Sequence, residues 1–393
     1  MKILQVNNVY GEKSTGKLTQ HLHEGLLQEG YESVVVYGRG NTATENNVIR
    51  LCPDWYGKLN SLLSRVTGMP YGGCFLSTMR LLRIIQREKP DVVHLQCING
   101  HFLNIYRLID WLKKQRIKTV VALHAEFMYT ANCGHAFECT QWKTGCQSCP
   151  NIYIANKSWL FDRAAVSWRR MKAAFNGFED NCIIAPVSPW TEDRARQSEI
   201  LKNFRFSTVY NGVNTEIFCC GDEKPEKKTV LNVTAHFSGE ENHPKGGWYL
   251  LELAERMPDV TFWVAGRADE ISSKPANLHL LGEIRDQNML AALYRRAMVS
   301  IIVSRRETFS MPCVESLCCG TPVVGFEAGA PEQISLKKYS EFVSFADLDK
   351  LETVLRRWLI EKNMDRDAIA EDAHQAYSAQ TMVRAFIKMY GRI

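Results

Sequence analysis

Val299-Ser300-Ile301-Ile302-Val303-Ser304-Arg305-Arg306-Glu307-Thr308-Phe309-Ser310-Met311-Pro312-Cys313-Val314-Glu315-Ser316-Leu317-Cys318-Cys319-Gly320-Thr321-Pro322-Val323-Val324-Gly325 reads as strand, loop, helix and strand. Residues 299–303 are the β-branched run of a buried strand. Pro312 suits the first turn of a helix, Gly320 suits its C-terminal stop, and Pro322 leads the next strand. Glu307 falls in the loop and Glu315 in the first turns of the helix, so both carboxylates can face one ligand at the strand's end. The backbone N–H groups of Phe309, Ser310 and Met311 would point at that ligand. With the positive end of the helix they suit phosphate or sugar hydroxyls.

The same alternation extends outward in both directions. Residues 3–6, 33–37, 92–95 and 118–123 read as buried parallel strands, with helical stretches at 18–29 and 79–87 between such runs, and 186–190 and 207–210 extend this half. The pattern restarts with strands at 229–234, 261–265, 277–281 and 322–325 and helices at 247–256 and 289–296. This is the α/β alternation of a doubly wound sheet, met twice. A chain of 393 residues is also long enough for two domains. The expected division is 1–220 and 229–378, with the polar, Pro-containing stretch 221–228 as linker. A last helix over 379–393 carries Met382, Phe386 and Tyr390 at helical spacing. Doubly wound sheets bind ligands beyond the C-terminal ends of their strands. Two such sheets facing each other would enclose a cleft.

Composition narrows the function. A net charge of +5 is too mild to demand nucleic acid, which needs a concentrated basic face, but it suits anionic donors or anionic lipid. No stretch reaches the ~20 apolar residues of a membrane span. The opening Met1-Lys2-Ile3-Leu4-Gln5-Val6-Asn7 is a strand pattern and no export signal, so a cytoplasmic location is expected. Trp55, Tyr56 and Lys58 precede an apolar stretch at 59–66, and Arg80, Arg83 and Arg87 share a helix face. Such groups suit peripheral contact with the inner face of a membrane, the plainer alternative being a solvated helix face.

Glu307 and Glu315, with seven residues between them and Gly320-Thr321-Pro322-Val323-Val324 after them, resemble the signature of family 4 glycosyltransferases. The resemblance implies a retaining enzyme of the GT-B fold: two Rossmann-like domains, the first for the acceptor and the second for a nucleotide sugar. Glu307 would then contact the donor sugar and Glu315 the ribose. Lys245-Gly246 matches the family's diphosphate-binding pair, but His236 stands where an arginine is usual, and Arg267 is the nearby candidate for the missing charge. Asn211-Gly212-Val213-Asn214 is similar to the family's interdomain turn, and Gly329-Ala330-Pro331-Glu332 to its glycine-containing donor loop. In the first half, His124 takes the place of an active-site histidine near the reacting carbon. Glu126 follows it, and His94 ends another strand as a second acceptor-side candidate. Gly16 falls in a loop that lies by the donor phosphates. The resemblance implies a UDP- or GDP-sugar donor, a glycan or lipid-linked acceptor in surface polysaccharide assembly, and no catalytic metal. The departing phosphate would take the acceptor's proton.

Other readings compete at particular motifs. Gly11-Glu12-Lys13-Ser14-Thr15-Gly16-Lys17-Leu18 nearly fits a P-loop, but Leu18 replaces the Mg²⁺-binding hydroxyl and Thr19 comes one residue late. Asp347-Leu348-Asp349 and Asp365-Arg366-Asp367 each precede a helix, where acidic residues favour the dipole. Cys133, Cys139, Cys146 and Cys149 fall in one loop, 133–150. Four thiolates suit a structural zinc site, with two disulfides or free thiols as alternatives. A GT-B epimerase or hydrolase and a non-catalytic sugar-binding protein are the remaining functional alternatives.

Overall fold

The structure is a computed structural model that describes residues 1–155, 157–271, 273–360 and 364–393. The chain forms two compact units, residues 1–210 with 382–393, and residues 211–381.

Unit 1 is built on seven strands: β1 (Lys2–Asn7), β2 (Glu32–Tyr37), β3 (Val48–Arg50), β4 (Val92–Leu95), β5 (Thr119–Leu123), β6 (Cys182–Pro186) and β7 (Arg205–Phe206). Their order is β3-β2-β1-β4-β5-β6-β7, and every pairing is parallel. The strands read as unbroken apolar runs because helices cover both faces. Ile3, Val92, Val120 and Ile183 pack against Leu18, Leu22 and Leu26 of helix Lys13–Gln28 and against Met382, Val383, Phe386 and Tyr390. Leu4, Val6, Val93 and Val121 face the opposite core, with Leu81, Ile85, Leu108 and Phe175. The last helix, Ala379–Tyr390, therefore completes the first unit's core. A Cβ at Gly25 would lie 2.5 Å from Val383 Cγ2.

Unit 2 carries β8 (Thr229–Phe237), β9 (Thr261–Ala268), β10 (Leu278–Gly282), β11 (Val299–Ile302), β12 (Val323–Phe326) and β13 (Ser340–Val343). They are parallel in the order β10-β9-β8-β11-β12-β13. Both sheets are doubly wound. The order reverses between β1 and β4 in unit 1, and between β8 and β11 in unit 2, where a crevice opens beyond the strand ends. Asn232 Nδ2 ties the latter pair together by donating to Ile301 O at 2.9 Å.

The boundary falls earlier than the polar stretch suggested. Residues 221–228 belong to unit 2, where Arg295 Nε donates to Glu223 Oε2 at 2.6 Å and Arg296 Nε to Glu226 Oε1 at 2.9 Å. These pairs use the charges that made the segment look like a solvated linker. The Asn211–Asn214 turn is bound to the chain's return: Val213 N–H donates to Tyr377 O at 2.7 Å, and Ala379 N–H to Val213 O at 2.8 Å. Asp347 and Asp365 are helix starts, accepting from Lys350 N and Ala368 N, each at 3.0 Å. Among the described residues no helix is long and apolar enough to cross a membrane.

Candidate functional site

The loops after β8 and β11 meet at the crevice of unit 2. Gly246 closes the first loop with φ +68°, and a Cβ there would fall 1.9 Å from Val303 O, so only glycine lets the turn lie against the end of β11. Arg305 N–H donates to Pro244 O at 2.9 Å, which pins the second loop to the first. Lys245 is thereby held over Glu307, and its Nζ donates to Oε1 at 2.7 Å, with 32 % and 17 % of the two side chains exposed. Both are reachable from solvent, and each neutralises the other.

Glu307 is also fixed through its backbone. Its N–H donates to Ala328 O at 2.9 Å, and Ala330 N–H donates to its carbonyl at 3.2 Å. Glu332 then holds the 328–330 turn from below, its carboxylate accepting from Ala328 N at 3.0 Å and Gly329 N at 2.8 Å. Sequence reasoning took Glu332 only as part of a motif. Its spacing to Gly329 is the signal that it is the clamp of that loop.

Helix Met311–Cys318 starts directly above. Ser310 has φ +79° and provides no side-chain cap, so the first-turn N–H groups receive no hydroxyl from it. Phe309 and Ser310 are buried, and Met311 is half-buried. Glu315 Oε2 accepts from Tyr294 OH at 3.1 Å. Burial, then Glu315, pushes the Tyr294 phenol well above its ordinary range, so it stays a donor that orients this carboxylate. Tyr294 was not legible as a site residue, because it lies in an ordinary helical pattern.

The expected cations are differently placed. His236 Nε2 lies 2.9 Å from Asp269 Oδ1. Arg267 pairs with β8 at His236 but points its guanidinium to Glu283, at 3.0 Å. Glu283 is shared with Arg285, also at 3.0 Å, so Arg267 has a carboxylate partner other than Glu307.

In unit 1, three expected site residues hold structure instead. His94 is fully buried, its Nδ1 2.8 Å from Tyr390 OH and its ring 4.7 Å from that of Phe386. Burial lowers its pKa to about 3, so it is a neutral core residue that seats the last helix. Glu126 is also fully buried, accepting from Arg194 Nε at 2.6 Å, Tyr129 OH at 2.7 Å and Ala136 N at 2.6 Å. It anchors the cysteine-containing loop and presents no exposed surface to an acceptor. Gly16 is buried in helix Lys13–Gln28, where a Cβ would meet Val9 Cγ2 at 3.0 Å, and its carbonyl accepts from Gly11 N at 3.0 Å. It shapes the loop over β1 by packing. Thr19, the late hydroxyl of the P-loop reading, is buried and bonded to Thr15 O and Asn7 Nδ2. His124 follows β5 directly and is half-buried, and burial lowers its pKa to about 4, so its imidazole is neutral near pH 7.

The four cysteines of loop 133–150 are free thiols, Cys133 buried and the others half-buried. Burial, followed by the neighbouring thiols, pushes Cys146 up to about 12. Among the described residues no three His, Cys, Asp or Glu side chains are grouped as ligands for one metal ion. Within the loop Trp142 is buried against Tyr129 and donates to Cys139 O at 2.7 Å.

Family profiles cover both units. The one described as "Glycosyltransferase Family 4" matches residues 15–217, and "Glycosyl transferases group 1" matches residues 234–359. The chain belongs to glycosyltransferase family 4. This transferase is 23 % identical to the putative colanic acid biosynthesis glycosyl transferase WcaC of Escherichia coli K12, over 99 % of each chain. It is 29 % identical to the MMP alpha-(1->4)-mannosyltransferase of Mycolicibacterium hassiacum, over 52 % of this chain and 54 % of that one. Its fold is GT-B. The sucrose-phosphate synthase of Thermosynechococcus elongatus superimposes on all of the chain and 98 % of its own with a TM-score of 0.71 at 14 % identity. HepE of Anabaena, in complex with UDP-glucose, superimposes over all of both chains with a TM-score of 0.64 at 13 % identity. The family and the GT-B fold agree with the sequence expectation and do not favour the P-loop reading of residues 11–18.

Proposed function

We propose that the transferase moves a sugar from a UDP- or GDP-sugar, held by unit 2, to a glycan or lipid-linked acceptor in the assembly of a surface polysaccharide, with retention of anomeric configuration. The observation that carries the donor half is the Lys245–Glu307 pair at the crevice between β8 and β11. A diphosphate arriving at the start of helix Met311–Cys318 would draw Lys245 away from Glu307, because two phosphate charges outcompete one carboxylate. Glu307 would then be free to accept hydrogen bonds from sugar hydroxyls. Glu315, oriented by Tyr294, would accept from the ribose. UDP or UDP-glucose named in the HepE structures supports a UDP-sugar as the first donor to test.

Unit 1 is assigned the acceptor, with His124 as the side chain offered to it. A neutral imidazole donates or accepts a hydrogen bond without placing a fixed charge beside the reacting carbon. The proton of the acceptor hydroxyl would pass to the departing phosphate oxygen as the C–O bond to the acceptor forms and the bond to phosphate breaks. The likeness to WcaC along the whole chain supports polysaccharide assembly. A thermal-shift screen of UDP-, GDP- and other nucleotide sugars tests the donor reading. The expected result is stabilisation by one nucleotide class that disappears in Lys245→Ala, and stabilisation by none overturns it. Donor turnover that needs no acceptor would favour the epimerase or hydrolase reading.

A further inference from the structure

Helix Asp54–Thr67 is inside out. Its buried positions are Gly57, Asn60 and Ser64, whereas Trp55, Leu59, Leu62 and Leu63 stand in solvent, between 46 % and 65 % exposed. The spacing 55, 59, 62, 63 puts these four on one stripe. An exposed large apolar patch over buried small and polar groups is the reverse of the usual order. The inner side is nevertheless a made joint: Asn60 Oδ1 accepts from Cys74 N at 3.0 Å and Asn60 Nδ2 donates to Tyr56 O at 2.9 Å. The second bond stays within the helix and aims the amide, and the first ties the helix to Cys74 with its apolar stripe outward.

Two further segments widen the patch. Phe75 and Leu76 open the next helix, Phe75–Glu88, with Leu76 77 % exposed. Trp159, Leu160 and Phe161 are exposed beside the end of helix Asp54–Thr67. Trp159 N–H donates to Arg65 O at 2.8 Å, and a Cβ at Gly68 would lie 2.2 Å from Phe161 O. Arginines border each part. Arg65 lies 5.6 Å from the Trp159 ring centre and Arg163 5.5 Å from that of Phe161. Leu63 and Phe75 share a cavity of about 290 Å³ with His101, Arg163 and Arg170. A groove of about 850 Å³ continues from Phe75 and Arg170 to Arg83, Arg107 and Lys114. Asp110 on this groove is matched by Lys113 at 3.7 Å and Lys114 at 2.8 Å.

We propose that this face docks unit 1 on an anionic lipid bilayer, the leucine and tryptophan side chains entering the acyl boundary and the arginines meeting lipid phosphates. Charge complementarity selects this occupant: interfacial helices combine such an apolar face with cationic neighbours, and a second copy would bring arginine against arginine. The three arginines that share a helix face in the sequence are placed differently. Arg80 Nη1 donates to Leu51 O at 2.7 Å and Arg87 pairs with Glu88 at 2.7 Å, leaving only Arg83 of the three to line the groove. The inference deepens the acceptor side of the proposed function and rests on it only in that a lipid-linked acceptor gives such a face its purpose.

The test is flotation of the full chain with phosphatidylcholine vesicles, with and without phosphatidylglycerol. Binding to the mixed vesicles alone is expected. The triple variant Leu59→Ser, Leu63→Ser, Leu76→Ser should lose about tenfold or more in affinity while melting as the parent does. Arg65→Ala and Arg163→Ala should each cost about fivefold. No binding to phosphatidylglycerol vesicles, undiminished binding by the triple variant, or a lipid-free dimer that this variant abolishes would each overturn the proposal. Nucleotide-sugar binding, measured in the same preparations without lipid, reads the donor site separately. Vesicle binding lost with donor binding intact sinks docking alone, and the reverse sinks the donor reading alone.

Discussion

Lys245 and Glu307 come from loops 62 positions apart and meet at 2.7 Å, where the loops after β8 and β11 are bonded to each other. The pair keeps two opposite charges in place at a ligand-accessible crevice. Replacing Lys245 by alanine removes the cation and leaves Glu307 repelling a diphosphate. Transfer efficiency should fall by about a hundredfold, the scale of one or two charge-assisted hydrogen bonds. Steady-state kcat/KM measures it, and Glu307→Gln should lose sugar turnover while nucleotide binding persists.

Gly246 has no tolerated substitute. Alanine would have to hold φ +68° and move its Cβ away from a carbonyl oxygen 1.9 Å distant. The left-handed backbone alone costs about 1–2 kcal/mol, and shifting the end of β11 adds to it. Gly246→Ala should lower the melting temperature by several degrees and weaken donor binding together. An unchanged melt would mean that the turn rearranges freely.

The buried Glu126–Arg194 pair should behave as an all-or-none anchor. Breaking it on one side leaves an uncompensated buried charge, at a cost of about 3–5 kcal/mol. Arg194→Met should therefore be the severe variant, and the double variant with Glu126→Gln should recover much of the loss. Ala136 N–H donates to the same carboxylate, so a Glu126 displaced by the loss of Arg194 loosens the cysteine-containing loop. Faster thiol labelling of Cys133 is then the local readout.

Acid should destabilise the fold through its buried histidines. His94 and His124 have pKa values lowered by burial to about 3 and about 4. Below the unfolded value of about 6.5 the unfolded chain takes up protons that the folded chain refuses. Stability is therefore lost as pH falls from about 6.5 towards 4, at up to about 1.4 kcal/mol per unit for each histidine. His94→Gln should reduce the slope of unfolding free energy between pH 6 and 5 by about one proton. An unaltered slope would show that His94 titrates normally.

Most of the fold was legible because parallel strands buried on both faces leave a strong apolar signature, as at residues 299–303 and 229–234. The 304–324 segment could be read because strand, loop, proline and helix are local in sequence. The misreadings concern partners that are distant. Nothing near His94 announces Tyr390, and nothing near Glu126 announces Arg194, so two strand-end polar residues that looked available for chemistry are spent on packing. The 221–228 stretch looked like a linker because Glu223 and Glu226 find Arg295 and Arg296 about 70 positions later. The inverted helix Asp54–Thr67 showed its apolar stripe in the sequence, but which side faced the protein depended on Asn60 and Cys74.

The closing helix has a consequence for synthesis. While a ribosome makes the chain, the first 210 residues emerge without Met382, Val383, Phe386 and Tyr390, the side chains that cover Leu18, Leu22 and Leu26. The nascent first unit must wait with that face bare, and with His94 lacking its phenol, until all of the second unit has been translated. The second unit, whose residues are contiguous, has no such delay. The half made first is thus the half that finishes last, and it is the one exposed to chaperones or to misassembly in the interval.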